Sequence, residues 1–534
     1  MYTNNCVINS VCSNLCFRTS IYVQKRWKSK KVHWSVLAKK IYPVDKALEH
    51  FDDFYKTVFG RRWPSIRLAL LSPHKYCAVI NNFGDSDMAV SDLQNIGAMS
   101  MRRLFELEKE TIKQQKQEDR RKKDLEKIFK LDRKLEQMMV AKQQKELESL
   151  YPHREKSESA CVPADILTLN KSSSDTSHGS SVNMNRKDHA EECGDALIEK
   201  SLHSSLRDAD FDTQRLIDPA SGLSAAALYE YVPATRLKGM EDWIVESQHY
   251  RYYKKNTDFP VHIESDHDFI FPDHLQVLTF ERGNVSSFPA PKRGSTGVLN
   301  YYLLDGGSLL PVLALGVNPG DRVLDMCAAP GGKSLLMLQT LFPALLVCND
   351  VQESRTNRIH AVIKQYLYSM DKWKNRLIVT QRDGRDIDEY NIYNKILVDV
   401  PCTIDRHSLH ENENNIFKPT RVKERLKIPE IQAELLGYFC SHALKLVQPG
   451  GTVVYSTCSL SPIQNDGVVH MALRKVWEET DIQVVVKDMT AALEPVNCMY
   501  KLGQDLGLKY GHLVLPFIPC NFGPMYFCKL VRRK

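Results

Sequence analysis

"DRVLDMCAAPGGKSLLML", residues 321–338, reads as a strand, a glycine-rich turn and a helix. Similar short apolar runs recur in "RVLDMCA", "ALLVCND", "RLIVTQRD", "KILVDVP" and "GTVVYSTC". Helix-like segments at 334–341, 352–368 and 429–447 separate them. Strands alternating with helices from about residue 275 onward indicate a parallel sheet with crossover helices, an α/β fold. Ligands of such sheets bind beyond the carboxyl ends of the strands.

The turn itself restricts what can bind. Gly332-Lys333-Ser334 invites comparison with a phosphate-binding loop, but that pattern needs a glycine five residues before Gly332, where Cys327 stands. Nor is it Gly-x-Gly-x-x-Gly. Pro330-Gly331-Gly332 still allows another molecule close to the backbone. The next strand ends in Asn349-Asp350, where an acid is placed to accept hydrogen bonds from two ribose hydroxyls. The third ends in Asp383-Gly384, where a carboxylate meets an adenine amino group. A ribose acid, an adenine contact and a turn not built for phosphate fit a nucleoside cofactor without a pyrophosphate, and S-adenosylmethionine is the candidate.

Two further strand ends carry thiols. "KILVDVPCTIDRH" places Cys402 after one apolar run, and "VVYSTCSLSP" places Cys458 after another, 56 residues on. Carbon 5 of a pyrimidine is a poor nucleophile until a thiolate adds at carbon 6 and breaks the ring's aromaticity. Its methylation needs one nucleophilic cysteine, a group that helps proton removal or release, and an acid near ring nitrogen 3. Asp399, Cys402 and Cys458 supply these types. A thiol must be ionised to attack, and Lys333 is the candidate cation to lower its pKa.

The rest of the chain of 534 residues divides by composition. Residues 1–44 hold eight basic residues and no acid, the composition of an organellar transit peptide, expected to be mitochondrial, with a solvated basic arm as the alternative. The whole chain carries +7, so without those eight the remainder carries −1, and global charge is no argument for nucleic-acid binding. Residues 45–101 read as a small helical region, 102–151 as a charged helix, and the serine-rich 152–222 as a disordered linker. Residues 223–300 precede the catalytic part as an RNA-binding region, and 301–534 form the catalytic domain. "KPTRVKERLK" (418–427) is a candidate phosphate-contacting loop. No apolar run nears the roughly 18 residues of a membrane span. Fourteen cysteines without Cys-x-x-Cys or zinc spacing suggest free thiols and no metal site.

"DMCAAPGGKS", "CND", "RDGR", "VDVPCT" and "YSTCSLSPIQND" together resemble the Sun-type family of RNA cytosine-C5 methyltransferases. The resemblance implies the class I methyltransferase fold, a Rossmann-like seven-stranded sheet with a reversed last strand. It implies that Cys458 attacks the base and that Cys402 assists release of the methylated RNA. It carries cofactor contacts onto Cys327, Ala328, Ala329, Pro330, Gly331, Gly332, Lys333, Asp350, Arg355, Asp383, Gly384 and Asp399. "FGRRWPSIRLALLSPHKYCAVINNFG", "DRHSLHENENNIFK" and "CNFGPMYFCK" resemble the family's mitochondrial branch acting on small-subunit ribosomal RNA. That branch implies a matrix location, mitochondrial rRNA as substrate, and a partner of the mitochondrial transcription-termination-factor family. It also implies a part in assembling the mitochondrial ribosomal subunits. A transfer-RNA substrate, or a binding role in assembly with incidental methylation, stays open.

Overall fold

The computed structural model describes residues 42–150, 249–255, 259–267, 269–437 and 443–534. The transit segment expected over 1–44 (but for its last residues), the linker over 152–222 and the first part of the 223–300 region lie outside the described residues.

Residues 45–101, expected to be helical, contain the helices Pro43–Phe59 and Trp63–Leu71, but Tyr76–Ile80 is a strand, β1. Periodicity does not separate a five-residue apolar run from a buried helical turn. In the fold, β1 alternates between two cores. Cys77 and Val79 pack with Met101, Phe105 and Leu304, while Ala78 and Ile80 pack with Ala89 and Leu93 of the helix Ser86–Asn95. β1 is inner to an antiparallel sheet with β2 (Met99–Ser100), β4 (Val277–Thr279) and β5 (Tyr301–Asp305), in the order β2-β4-β1-β5. The 45–101 and 223–300 segments thus share one sheet with the start of the catalytic part. β3 (His262–Ser265) joins the larger sheet instead.

That larger sheet is built from β6 (Arg322–Asp325), β7 (Leu345–Asn349), β8 (Leu377–Thr380), β9 (Tyr393–Asp399), β10 (Val447–Thr457), β11 (Val484–Asp488), β12 (His512–Val514) and β13 (Met525–Arg532). The order β8-β7-β6-β9-β10-β13-β11 gives the seven strands of the expected fold. β13 runs antiparallel to both neighbours, and is the reversed strand. Two additions were not foreseen. β12 forms a hairpin with β13, and β3 pairs parallel to β11 with Ile263 opposite Val486. β3 so covers what would be an open sheet edge. The chain leaves β6 for β7 and β8, then returns to the other side of β6 for β9 and β10. A crevice opens at that switch point, above the carboxyl ends of β6 and β9.

The helix Met101–Leu150 starts buried at Met101 and Phe105, and Lys116 pairs with Glu494. Beyond it, apolar side chains such as Leu125, Phe129 and Leu150 are exposed. Arg406 fastens the N-terminal helices to the large sheet. Its guanidinium donates to Ala69 O at 3.0 Å, Ser72 O at 2.9 Å, Gly523 O at 2.9 Å and Asn521 Oδ1 at 2.8 Å. Burial brings its pKa down to about 10, so it stays charged at neutral pH. Among the described residues no helix is long and apolar enough to cross a membrane.

Candidate active site

The crevice is set by bonds between strand ends. Asp325 closes β6 almost fully buried, and its Oδ2 accepts from Ser334 Oγ at 2.6 Å. Burial pushes this carboxyl up to about 7, against the Ser334 bond. The turn then passes through Gly331 at φ 106°, a left-handed conformation natural to glycine, and the helix Gly332–Gln339 begins. Asn349 ties this turn to the next two strands. Its amide donates to Met326 O at 3.1 Å and Arg382 O at 2.9 Å, and its Oδ1 accepts from Thr380 Oγ1 at 2.9 Å and Arg382 N at 3.0 Å. Next to it, Asp350 accepts from Arg355 Nε at 3.1 Å. Asp383 accepts from Arg385 Nε and N, both at 3.0 Å, and these bonds hold its carboxyl below the usual range. At Gly384 an added Cβ would lie 2.7 Å from Leu435 Cδ2 and 3.0 Å from Met326 Cγ, so only glycine lets the chain pass.

On the other side of the switch point, Asp399 ends β9 opposite Ser456 of β10. Its Oδ1 accepts from Ser456 Oγ at 2.7 Å and its Oδ2 from Lys333 Nζ at 2.7 Å. Burial works to lower the Lys333 pKa. The charge and hydrogen bond of Asp399 more than offset it, and the ammonium ends above its usual range. Just past the same two strands, the sulfurs of Cys402 and Cys458 stand 2.7 Å apart, one thiol donating to the other. That hydrogen bond, then burial and the charge of Asp399, push the Cys458 thiol well up. Lys333 pulls the other way and is outweighed. The expectation that Lys333 lowers the thiol pKa is therefore met in sign but not in outcome: its first task is to neutralise Asp399. The resting Cys458 is a thiol, and attack requires that its proton leave when substrate arrives.

This geometry makes a specific expectation. Because the Cys402 bond is the largest cause of the raised Cys458 pKa, Cys402→Ala brings that pKa down and moves thiolate formation to lower pH. Alkylation of Cys458 by iodoacetamide, followed by peptide mass spectrometry at mildly alkaline pH, is expected to be several-fold faster in the variant. An unchanged pH profile would show that the thiols do not interact.

All the expected site residues line one cleft of about 1470 Å³, except Ala328, Gly331 and Gly332, which form the turn behind it. Sequence reading missed Ser456, Asn349 and Met326. Asn349 stood in the quoted "CND", but nothing local marked its bonds. Of the basic loop, Lys418 and Arg421 reach the cleft. Arg421 is gripped by Glu424 at 2.5 and 2.7 Å, and Arg425 is buried over the Phe417 ring, 4.6 Å from its centroid.

Residues 312–502 match the family model for 16S rRNA methyltransferase RsmB/F. The 5-cytosine rRNA methyltransferase nsun-4 of Caenorhabditis elegans is 33% identical over 97% of this chain and 99% of its own length. The chain belongs to the RsmB/F family of RNA cytosine-5 methyltransferases. The 5-cytosine rRNA methyltransferase NSUN4 of Bos taurus is 47% identical, over 48% of this chain and 66% of that one. A mitochondrial tRNA (cytosine(34)-C(5))-methyltransferase of Danio rerio is 34% identical, over 59% of this chain and 80% of that one. As a family member, this protein is an RNA cytosine-5 methyltransferase that uses S-adenosylmethionine, which supplies an electrophilic methyl group when bound. The cleft fits that cofactor. Asp350 and Asp383 present carboxylates to it past the ends of β7 and β8, and Gly384 lines it beside Met326 and Leu435.

Proposed function

We propose that this protein methylates carbon 5 of a cytosine in mitochondrial small-subunit (12S-type) ribosomal RNA, in the matrix, as a step of ribosome assembly. The observation that carries the chemistry is the thiol pair, 2.7 Å apart, just past the strands that hold the Lys333–Asp399 pair. Cys458 gives up its thiol proton to solvent, its Sγ adds to carbon 6 of the base, and the ring's electron pair shifts toward carbon 5, which takes the methyl. Asp399, neutralised by Lys333 and oriented by Ser456, contacts the N3 edge. Solvent water reaching the cleft takes the carbon 5 proton, the electron pair of that C–H bond restores the double bond, and the carbon–sulfur bond breaks as its electrons return to Cys458. Cys402 lies within hydrogen-bond reach of the departing sulfur and gives it a proton, which favours release. Asp350 and Asp383 bind the cofactor's nucleoside, with Arg355 orienting Asp350.

The names of the relatives support the substrate, and the acid-free leader 1–44 supports import. The −1 charge of the remainder supports weak RNA binding alone, and so a partner of the transcription-termination-factor family that brings RNA affinity. The test is bisulfite sequencing of mitochondrial RNA from cells lacking the protein, restored with the normal chain or Cys458→Ala. One cytosine in the small-subunit rRNA is expected to gain its methyl group only with the normal chain. A mark restored in a mitochondrial tRNA instead would favour the reading supported by the Danio rerio relative. Ribosome assembly restored equally by Cys458→Ala would make binding the main role.

A further inference from the structure

Asp405 is fully buried and three residues past Cys402. Every bond it makes in the network between the thiols is one it accepts. Thr403 Oγ1, next to Cys402, donates to its Oδ1 at 2.6 Å. Leu460 N, two residues past Cys458, donates to its Oδ2 at 2.7 Å. Ser459 Oγ, adjacent to Cys458, lies 3.2 and 3.4 Å from the two oxygens. The remaining donor comes from far away in sequence: Tyr55 Oη, on the helix Pro43–Phe59, at 2.6 Å from Oδ2. Between Thr403 and Asp405 stands Ile404 at φ 48°, ψ 67°. A β-branched residue in the left-handed region is strained, and such strain persists only where the surroundings over-determine it. Here the bonds of Thr403 and Asp405 on either side do so.

We infer that Asp405 is a positioning residue for the two thiols: one carboxylate grips the loop after each cysteine and thereby sets their separation. Through Tyr55, the N-terminal helix Pro43–Phe59 becomes part of the machinery that holds that separation. The inference rests on the reading that Cys402 and Cys458 do the chemistry. Asp405 itself touches neither sulfur and takes no part in bond making.

The test uses the full chain with Asp405→Ala, Asp405→Asn and Tyr55→Phe. The first readout needs no RNA. Diamide takes two electrons and two protons from a thiol pair, so that two S–H bonds break, one S–S bond forms and the diamide becomes a hydrazine. Peptide mass spectrometry then times the Cys402–Cys458 bond. In Asp405→Ala, which removes every hydrogen bond to the carboxylate, the disulfide is expected to form at least about tenfold more slowly, the factor that one lost hydrogen bond to a charged group would give. The second readout is methyl transfer to total mitochondrial RNA. Its kcat is expected to fall about a hundredfold, as for a misplacement of roughly 1 Å. The KM for S-adenosylmethionine is expected to stay within about twofold, since Asp350 and Asp383 follow other strands and Asp399 is held by Ser456 and Lys333 rather than by Asp405. Asp405→Asn is expected to restore most of both, because the Thr403 and Ser459 hydroxyls can turn to accept from the new amide. If Asp405→Ala cross-links and turns over like the normal chain and only melts lower, the residue is a core carboxylate and the inference is wrong. Should Asp405→Ala not fold, Tyr55→Phe decides. Slower cross-linking and lower kcat with the fold intact uphold the inference, and no change in either overturns it. If Cys458→Ala still methylates, the chemical reading fails, while the cross-linking rate still reports on Asp405.

Discussion

Cys458→Ala is expected to lower methyl transfer by on the order of 10⁴- to 10⁶-fold, the scale on which loss of a nucleophile acts. Carbon 5 of cytosine becomes nucleophilic only after addition at carbon 6 breaks the ring's aromaticity. Cys402→Ala behaves differently. The nucleophile remains, and its pKa moves toward the ordinary thiol range once the bond to Cys402 is gone. The first turnover is expected to proceed and release to fail, so a burst of about one methyl per protein replaces steady turnover. The contrast between a silent variant and a stalled one separates the two thiols more sharply than the size of either loss. Equal steady-state losses with no burst in either would leave both as structural cysteines.

Lys333→Met is expected to cost both stability and rate. The Lys333 side chain is 12% exposed and that of Asp399 is 26% exposed. Removing one partner leaves a largely buried carboxylate without its counter-charge. A fully buried pair broken in this way costs about 3–5 kcal/mol, and the partial exposure of Asp399 places the loss near the lower end, about 3 kcal/mol. The rate falls for two linked reasons. Asp399 without Lys333 loses its counter-charge at the strand end, and Cys458 loses a cation that acts to lower its pKa. The thiolate then forms only at still higher pH. Relative to the normal chain, the rise of the rate with pH is expected to shift upward, with a loss of about a hundredfold at neutral pH. Thermal melts and pH–rate profiles of the same preparation check both effects. A stable variant with normal rate would mean that the ion pair is a surface contact.

The sheet and the cofactor side were legible because their signals are local. A strand, a glycine turn and a helix announce themselves within eighteen residues at 321–338, and Asp350, Asp383 and Asp399 are each the last polar residue of an apolar run. The thiols were legible for the same reason. What holds them was not. Ser456 meets Asp399 through the register of β9 against β10, and register is absent from either strand read alone. Tyr55 and Asp405 are 350 residues apart, and no periodicity links a helix near one end to a loop in the middle. β1 was not legible within a mostly helical stretch, because only the pairing with β4 and β5 makes its five residues a strand. The sequence offers Lys333 as a cation for the thiol. Its commitment to Asp399 needed the distance between two strand ends, which the sequence does not carry.

Covalent trapping tests the central claim most directly. Cys402→Ala and Cys458→Ala chains are incubated with S-adenosylmethionine and total mitochondrial RNA and run on denaturing gels, and attached RNA and peptide are both identified. A gel-stable adduct is expected with Cys402→Ala only, joined through the peptide that contains Cys458 to a cytosine of the small-subunit rRNA. An adduct with Cys458→Ala only, joined through Cys402, would contradict it and reverse the roles of the two thiols.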